Sequence, residues 1–201
     1  MSNLNEQQSA AKKRPYRLGK RAEQRDRTRQ KIVEAAVELH GTLGPAHTSV
    51  AQIAERAGVQ RHTFYAHFPD ERSLSLACSG HAMERDPLPD VEHWAALAPG
   101  RERIRFGLEQ IYDWYERNEQ LTACVVRDAE MHELTREIVT MRMAPTFARA
   151  GELLGEGTAN VATPLIALAL DFACWRVLHR TLDNGAAAAL MADAIGRAGE
   201  A

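Results

Sequence analysis

Six polar or aromatic side chains crowd one short stretch of the chain: Gln60, Arg61, His62, Thr63, Tyr65 and His67. No paired acid and base stands among them, so the chemistry they suit is recognition. An arginine fork matches the two acceptors of guanine, and a glutamine amide matches adenine. Arg61 and His62 stand near the start of a short helix, where side chains meet base edges, and Gln60 joins them if it is not consumed as a helix cap. Thr63 suits either a phosphate or a thymine methyl. About half or more of protein–DNA hydrogen bonds go to phosphate and sugar, so backbone contact is open to each of them.

Such side chains need a scaffold, and the residues just before them supply one. Ser49 is an N-cap candidate, with Gln52 three residues on to complete a capping box. Val50, Ile53, Ala54 and Ala57 recur at helical spacing and give one apolar face. Gly58 stands where a helix end takes a left-handed residue, and Val59 plugs the turn. Residues 48–68 therefore read as a helix-turn-helix whose second helix buries little and offers the rest outward. Thr48, at the first helix start, is a further phosphate candidate, because helix N-termini attract anions. An ordinary helical hairpin with a solvated second helix has the same pattern.

Charge separates the two readings. Residues 1–72 carry 13 Lys/Arg against 8 Asp/Glu, and residues 73–201 carry 12 against 19. The first part is built to approach a polyanion. Positive charge is densest over residues 12–31, where Lys20, Arg21 and Arg25 are placed to reach along a phosphate backbone or into a minor groove. A merely solubilising tail is the alternative. No apolar run reaches membrane-spanning length, and the start of the chain lacks a secretory core. Three widely spaced cysteines fit a reducing cytoplasm, which is the expected location.

Periodicity along the chain is helical throughout. A helix is expected from about Arg25 to His40 and another over residues 71–83. Pro87, Pro89 and Pro99 make residues 85–99 irregular. From Arg101 the period returns through Ile104, Leu108, Ile111 and Tyr115. Residues 119–155 are helical with a break or bend near Pro145. Residues 161–182 form the most apolar helix, and an Ala-rich helix follows over about 185–197. Apolar surface on every side of the 161–182 helix suits either the centre of a core or a core face plus an interface, and in a small helical domain the second is the attractive one.

Across residues 27–74 the chain resembles the tetracycline-repressor (TetR) family of bacterial transcription regulators. The match runs through Thr28, Arg29, Ile32, Ala35, Ala36 and Leu39. It continues through Thr48, Val50, Ile53, Ala54, Ala57, Gly58 and Val59, then Thr63, Tyr65, His67, Phe68 and Leu74. The resemblance implies an all-α chain: an N-terminal three-helix helix-turn-helix DNA-binding domain, then a helical-bundle dimerisation and ligand-binding domain. The corresponding boundaries are a flexible basic arm over 1–20, the DNA-binding domain over 21–70 and the effector-binding domain over 71–201. It further implies phosphate contacts for Tyr65 and His67, and core positions for Phe64 and Phe68. Three positions depart from the family pattern. Gln60 replaces a small capping residue, His62 replaces a small residue, and Glu71 stands where a phosphate-binding Lys is usual, leaving Arg72 as its substitute.

The expected function is a homodimeric repressor, joined through its last two helices and released from a double-stranded DNA operator by a small-molecule effector. Two reading helices would then enter successive major grooves about 34 Å apart. Trp94, Phe106, Tyr112, Trp114, Cys124, Met131, Met143, Phe147 and Trp175 are the pocket candidates, and they favour an apolar or aromatic effector. A ligand-responsive activator is the nearest alternative. A helical ligand-binding protein that does not use DNA is another, against which the basic arm argues. No Gly-rich phosphate loop or nucleophile elbow is present, so neither enzyme activity nor a cofactor is expected. Cys78 and His81 lie one helical turn apart, but no second pair with zinc-like spacing joins them, and no metal site is expected.

Overall fold

Ten α-helices and two short 3-10 turns succeed one another among the described residues, with no strand. The computed structural model describes the backbone of residues 3–159 and 162–200, and the side chains of residues 19–159 and 162–198. The protein is all-α. Helix α1 (Asn3–Thr42) leads through a 3-10 turn at Pro45–His47 to α2 (Val50–Ala57), α3 (Arg61–His67) and α4 (Glu71–Arg85). After a second 3-10 turn at Val91–Ala96 come α5 (Arg101–Arg117), α6 (Glu119–Ala129) and α7 (Glu133–Gly155). Helices α8 (Thr163–Ala169), α9 (Phe172–Leu178) and α10 (Asn184–Glu200) complete the chain.

Two apolar cores result. In the smaller, Ile32, Val33 and Ala36 of α1 meet Ile53 of α2, Phe64 of α3, Phe68, and Leu74 and Cys78 of α4. Burying each of the larger side chains contributes about 1.5–3 kcal/mol. The larger core gathers Trp94, Ile104, Leu108, Tyr112, Leu154 and Trp175 with their neighbours. Ala187, Ala188 and Ala192 are fully buried, and their small size brings α10 close along α5. Helix α4 belongs to both halves, because Met83 near its end packs against the second core.

The backbone departs from the sequence reading in three places. Residues 3–20 are helix continuous with α1, ahead of the start expected near Arg25. Glu, Gln, Ala, Lys and Arg dominate that stretch, and all are good helix formers. The basic side chains of Lys12 to Arg17 lie outside the described ones. The second departure is the break in residues 119–155, which falls at residues 130–132, while α7 runs through Pro145. Arg136 fixes this corner by donating to Ala129 O at 2.9 Å and Glu130 O at 2.8 Å, two carbonyls left open at the end of α6.

The third departure splits the 161–182 helix into α8 and α9. Asp171 caps α9, its Oδ1 accepting from Ala173 N at 2.8 Å and Cys174 N at 3.1 Å. The carbonyls exposed by the split are taken up from α5. Tyr112 Oη donates to Ala169 O at 2.9 Å, and Tyr115 Oη donates to Leu170 O at 2.7 Å.

Gly107 sets how closely Trp94 approaches α5. A Cβ at this position would stand 2.9 Å from both Leu154 Cδ2 and Trp94 Cε3. Gly107→Ala is accordingly expected to destabilise the chain by about 1–3 kcal/mol through overpacking. A denaturation midpoint equal to that of the parent chain would contradict it.

Candidate nucleic-acid interface and the cavity behind it

Local chemistry fixes the turn between α2 and α3. Ser49 Oγ accepts from Gln52 N at 3.3 Å while Ser49 N donates to Gln52 Oε1 at 2.8 Å, closing both halves of the capping box. Gly58 adopts φ 65° and ψ 37°, a left-handed geometry that glycine takes without a side-chain penalty. Val59 N then donates back to Ala54 O at 2.9 Å, and its side chain packs on the smaller core. Helix α3 starts immediately afterwards at a fixed angle.

One buried side chain, Phe64, seats α3. Arg61, His62 and Tyr65 project to solvent, and Thr63 and His67 are half-buried at the flanks. Gln60 makes no side-chain capping bond, which leaves its amide available. Tyr65 is 53% exposed and stands edge-on to Phe64, with ring centroids 5.5 Å apart. His62 Nε2 and Thr63 Oγ1 lie within hydrogen-bond distance at 3.3 Å.

Helix α1 adds cations at the far end of α3. Burial and the positive charges of Arg25 and Arg29 lower the pKa of His67, against a smaller opposing effect from Asp26. That electrostatic coupling places Arg25 beside the end of the reading helix. Arg29 stacks over the Phe68 ring at 4.9 Å. Lys20 and Arg21 are exposed earlier on α1.

Two further candidates are engaged elsewhere. Thr48 Oγ1 donates to Gly44 O at 2.7 Å, so its hydroxyl proton is turned into the preceding turn. Arg72 is held by Glu137 of α7 in a two-bond pair, at 2.6 and 2.5 Å. Sequence gives no sign of this partner, which lies 65 positions away.

The DNA-facing half is tied to the remainder at the turn before α2. The Asp128 side chain, 1% exposed at the end of α6, accepts from Ala46 N at 2.9 Å and from Arg127 Nε at 2.8 Å. Arg127 also donates to Leu43 O at 2.7 Å. Beside this junction is a cavity of about 100 Å³, bounded by α1, α4, the end of α5, α6 and α7. His40 and Pro45 reach it from the DNA-facing half, and Val126, Ile138 and Arg142 from the other.

Of the sequence-derived pocket candidates, Trp114 and Met143 line this cavity. Trp94, Tyr112 and Trp175 are fully buried in solid core, with Trp94 donating to Gln110 Oε1 and Trp175 to Asn184 Oδ1, each at 3.1 Å. Phe147 stacks on Tyr115 and Phe106 meets His93 edge-on. Cys124 Sγ donates to Gly41 O at 3.4 Å, and Met131 is 89% exposed. A ring or sulfur count cannot separate core from pocket, because both take the same residue types. Arg142, set within the apolar run around Val139, Met141 and Met143, is the signal that sequence reasoning passed over. Cys78 also faces the cavity, but burial pushes its thiol up to about 12.

Comparison with known proteins matches the same region. Residues 32–78 match the model of bacterial regulatory proteins of the tetR family. The HTH-type transcriptional regulator SrpR of Pseudomonas putida is 36% identical over 84 residues, which is 39% of this chain and 39% of that protein. The HTH-type transcriptional activator FasR of Mycolicibacterium smegmatis is 24% identical over 199 residues, covering 93% of this chain and 91% of that one. Among solved structures, the transcriptional regulator FadR from Bacillus subtilis, in complex with stearoyl-CoA, superposes with a TM-score of 0.60 at 17% identity. It covers 84% of this chain and 98% of that chain, a likeness of fold. The matched segment is the one that builds α2, the Gly58 turn and α3, so this part of the chain is similar to the DNA-binding segment of the tetR family of bacterial regulatory proteins.

Proposed function

We propose that this chain is a sequence-specific, ligand-responsive transcriptional regulator. It acts as a repressor whose grip on an operator is relaxed by a small molecule. The observation that carries the reading is α3 itself: a seven-residue helix seated by one phenylalanine, its polar side chains outward and cations of α1 beside it. Gln60, Arg61 and His62 serve as base readers. Thr63, Tyr65, His67, Lys20, Arg21 and Arg25 serve as backbone contacts.

The effector occupies the cavity behind the Asp128 junction, where occupancy would act on α4 and on the turn before α2. An effector of this kind works by binding two conformations with different affinity. FadR in complex with stearoyl-CoA is a fold relative seen with a small molecule. Homodimerisation through the last helices is supported by Leu168, Val177 and Leu190, which are 50–60% exposed on α8, α9 and α10. A cytoplasmic location goes with this role, and among the described residues no helix is long and apolar enough to cross a membrane. Activation is the second reading, favoured by the full-length relative named as a transcriptional activator.

A mobility-shift assay with the chain's own upstream DNA and a scrambled duplex, at two salt concentrations, tests the reading. Preference for the upstream duplex, weakening as salt rises, is the expected result. Equal binding of both duplexes overturns it. Within the same assay, Arg61→Ala should lose about 1–3 kcal/mol of discrimination at one base position. Arg25→Ala should weaken all duplexes alike and lower the salt slope by about one. An unchanged base preference in the Arg61 variant would refute its readout role.

A further inference from the structure

Among the described residues, the cavity wall carries one cationic side chain and no carboxylate. Its polar members are hydroxyls, the Asn118 amide, His40 and the Arg142 guanidinium. Burial lowers the pKa of His40 to about 4, so it is neutral near pH 7. Among the described residues, Arg142 is then the only formal charge facing the space. It donates from Nε to Ser79 Oγ and from Nη2 to Leu76 O, each at 3.2 Å. Both acceptors are neutral and both belong to α4. Among the described residues no carboxylate pairs with this guanidinium, whereas Arg72 on the same helix pair has Glu137. An arginine at an apolar wall, held by two long bonds to neutral groups, is poised to exchange them for an anion.

Resting on the regulator reading, we propose that the effector is a small apolar carboxylate whose carboxyl group takes Arg142 from α4. The volume sets the size. A cavity of about 150 Å³ holds benzene, so about 100 Å³ limits the buried part of the ligand to no more than a single ring or a short chain. The apolar body rests against side chains such as Val126, Ile138 and Met143. Moving the guanidinium onto the ligand releases Leu76 O and Ser79 Oγ. It thereby loosens α7 from the helix that carries Leu74 into the DNA-facing core.

Benzoate and benzyl alcohol are matched probes, since they share the ring and differ in charge. Calorimetric titration of the full chain at pH 7 should show benzoate binding at least about tenfold tighter, as an added charge-assisted hydrogen bond implies. Arg142→Gln should lose that preference while binding the alcohol as before, and Arg142→Lys should keep part of it. Circular dichroism establishes that both variants fold. Should Arg142→Gln fail to fold, the parent chain's preference and its retention in Arg142→Lys decide. Equal affinity for the two probes, no binding of either at millimolar concentration, or a preference surviving in a folded Arg142→Gln chain overturns the proposal. The upstream DNA separates the two readings. If benzyl alcohol releases the chain from that DNA as well as benzoate does, the regulator reading stands and the carboxylate assignment falls. If benzoate is preferred but the chain never binds DNA specifically, the carboxylate assignment stands and the regulator reading falls.

Discussion

Phe64→Ala is expected to cost about 3–5 kcal/mol of stability and to remove specific DNA binding with it. Phe64 is 2% exposed and is the single buried side chain of α3. Its ring lies 5.9 Å from that of Phe68 and 5.5 Å from that of Tyr65. An isolated seven-residue helix has little intrinsic stability, since helices shorter than about 12–15 residues are marginal in water. Gln60 adds no side-chain cap to offset that deficit. Removing the ring leaves α3 without the contact that seats it, so Arg61, His62 and Tyr65 lose their common orientation. Urea unfolding followed by circular dichroism, alongside DNA titration, measures both effects. A variant that loses less than about 1 kcal/mol, or that keeps its preference for the upstream duplex, would contradict this account of α3.

Acid should act through His40. Its pKa is lowered from 6.5 to about 4 by burial, with the Asp128 carboxylate opposing only part of that shift. The unfolded chain therefore binds a proton at this site between pH 6.5 and 4 that the folded chain refuses. Stability rises with pH wherever the unfolded state holds more protons. The His40 contribution is thus complete above pH 6.5 and is lost progressively on going down to pH 4. At 1.4 kcal/mol per pKa unit the loss amounts to roughly 3 kcal/mol. His40→Gln removes the titrating group and should flatten this part of the profile. Denaturation midpoints of the two chains over the same pH range give the comparison. Parallel profiles would show that His40 is not the origin of the acid sensitivity.

Local chemistry makes the reading unit legible in the sequence. The Ser49–Gln52 box, the left-handed position at Gly58 and the apolar face of α2 each depend on residues within a turn of one another. Features set by distant partners are not legible in this way. Arg72 reads as a substitute phosphate contact, and its pairing with Glu137 of α7 has no local sign in the sequence. Residues 161–182 look like one helix because their apolar pattern is unbroken. The hydroxyls that cap the α8 carbonyls come from Tyr112 and Tyr115, more than fifty positions earlier. The pocket is the least legible feature, because a cavity is where packing is incomplete. Trp94, Tyr112 and Trp175 fill their space fully, and the wall belongs to side chains such as Val126 and Ile138 that any core would also contain.

Hydroxyl-radical footprinting of the chain on its own upstream DNA tests most directly whether two copies of α3 are held at a fixed spacing. Two protected patches on one face of the duplex, centred about one helical turn, or 34–36 Å, apart, are predicted. A single patch, or protection spread evenly along the duplex, would contradict it.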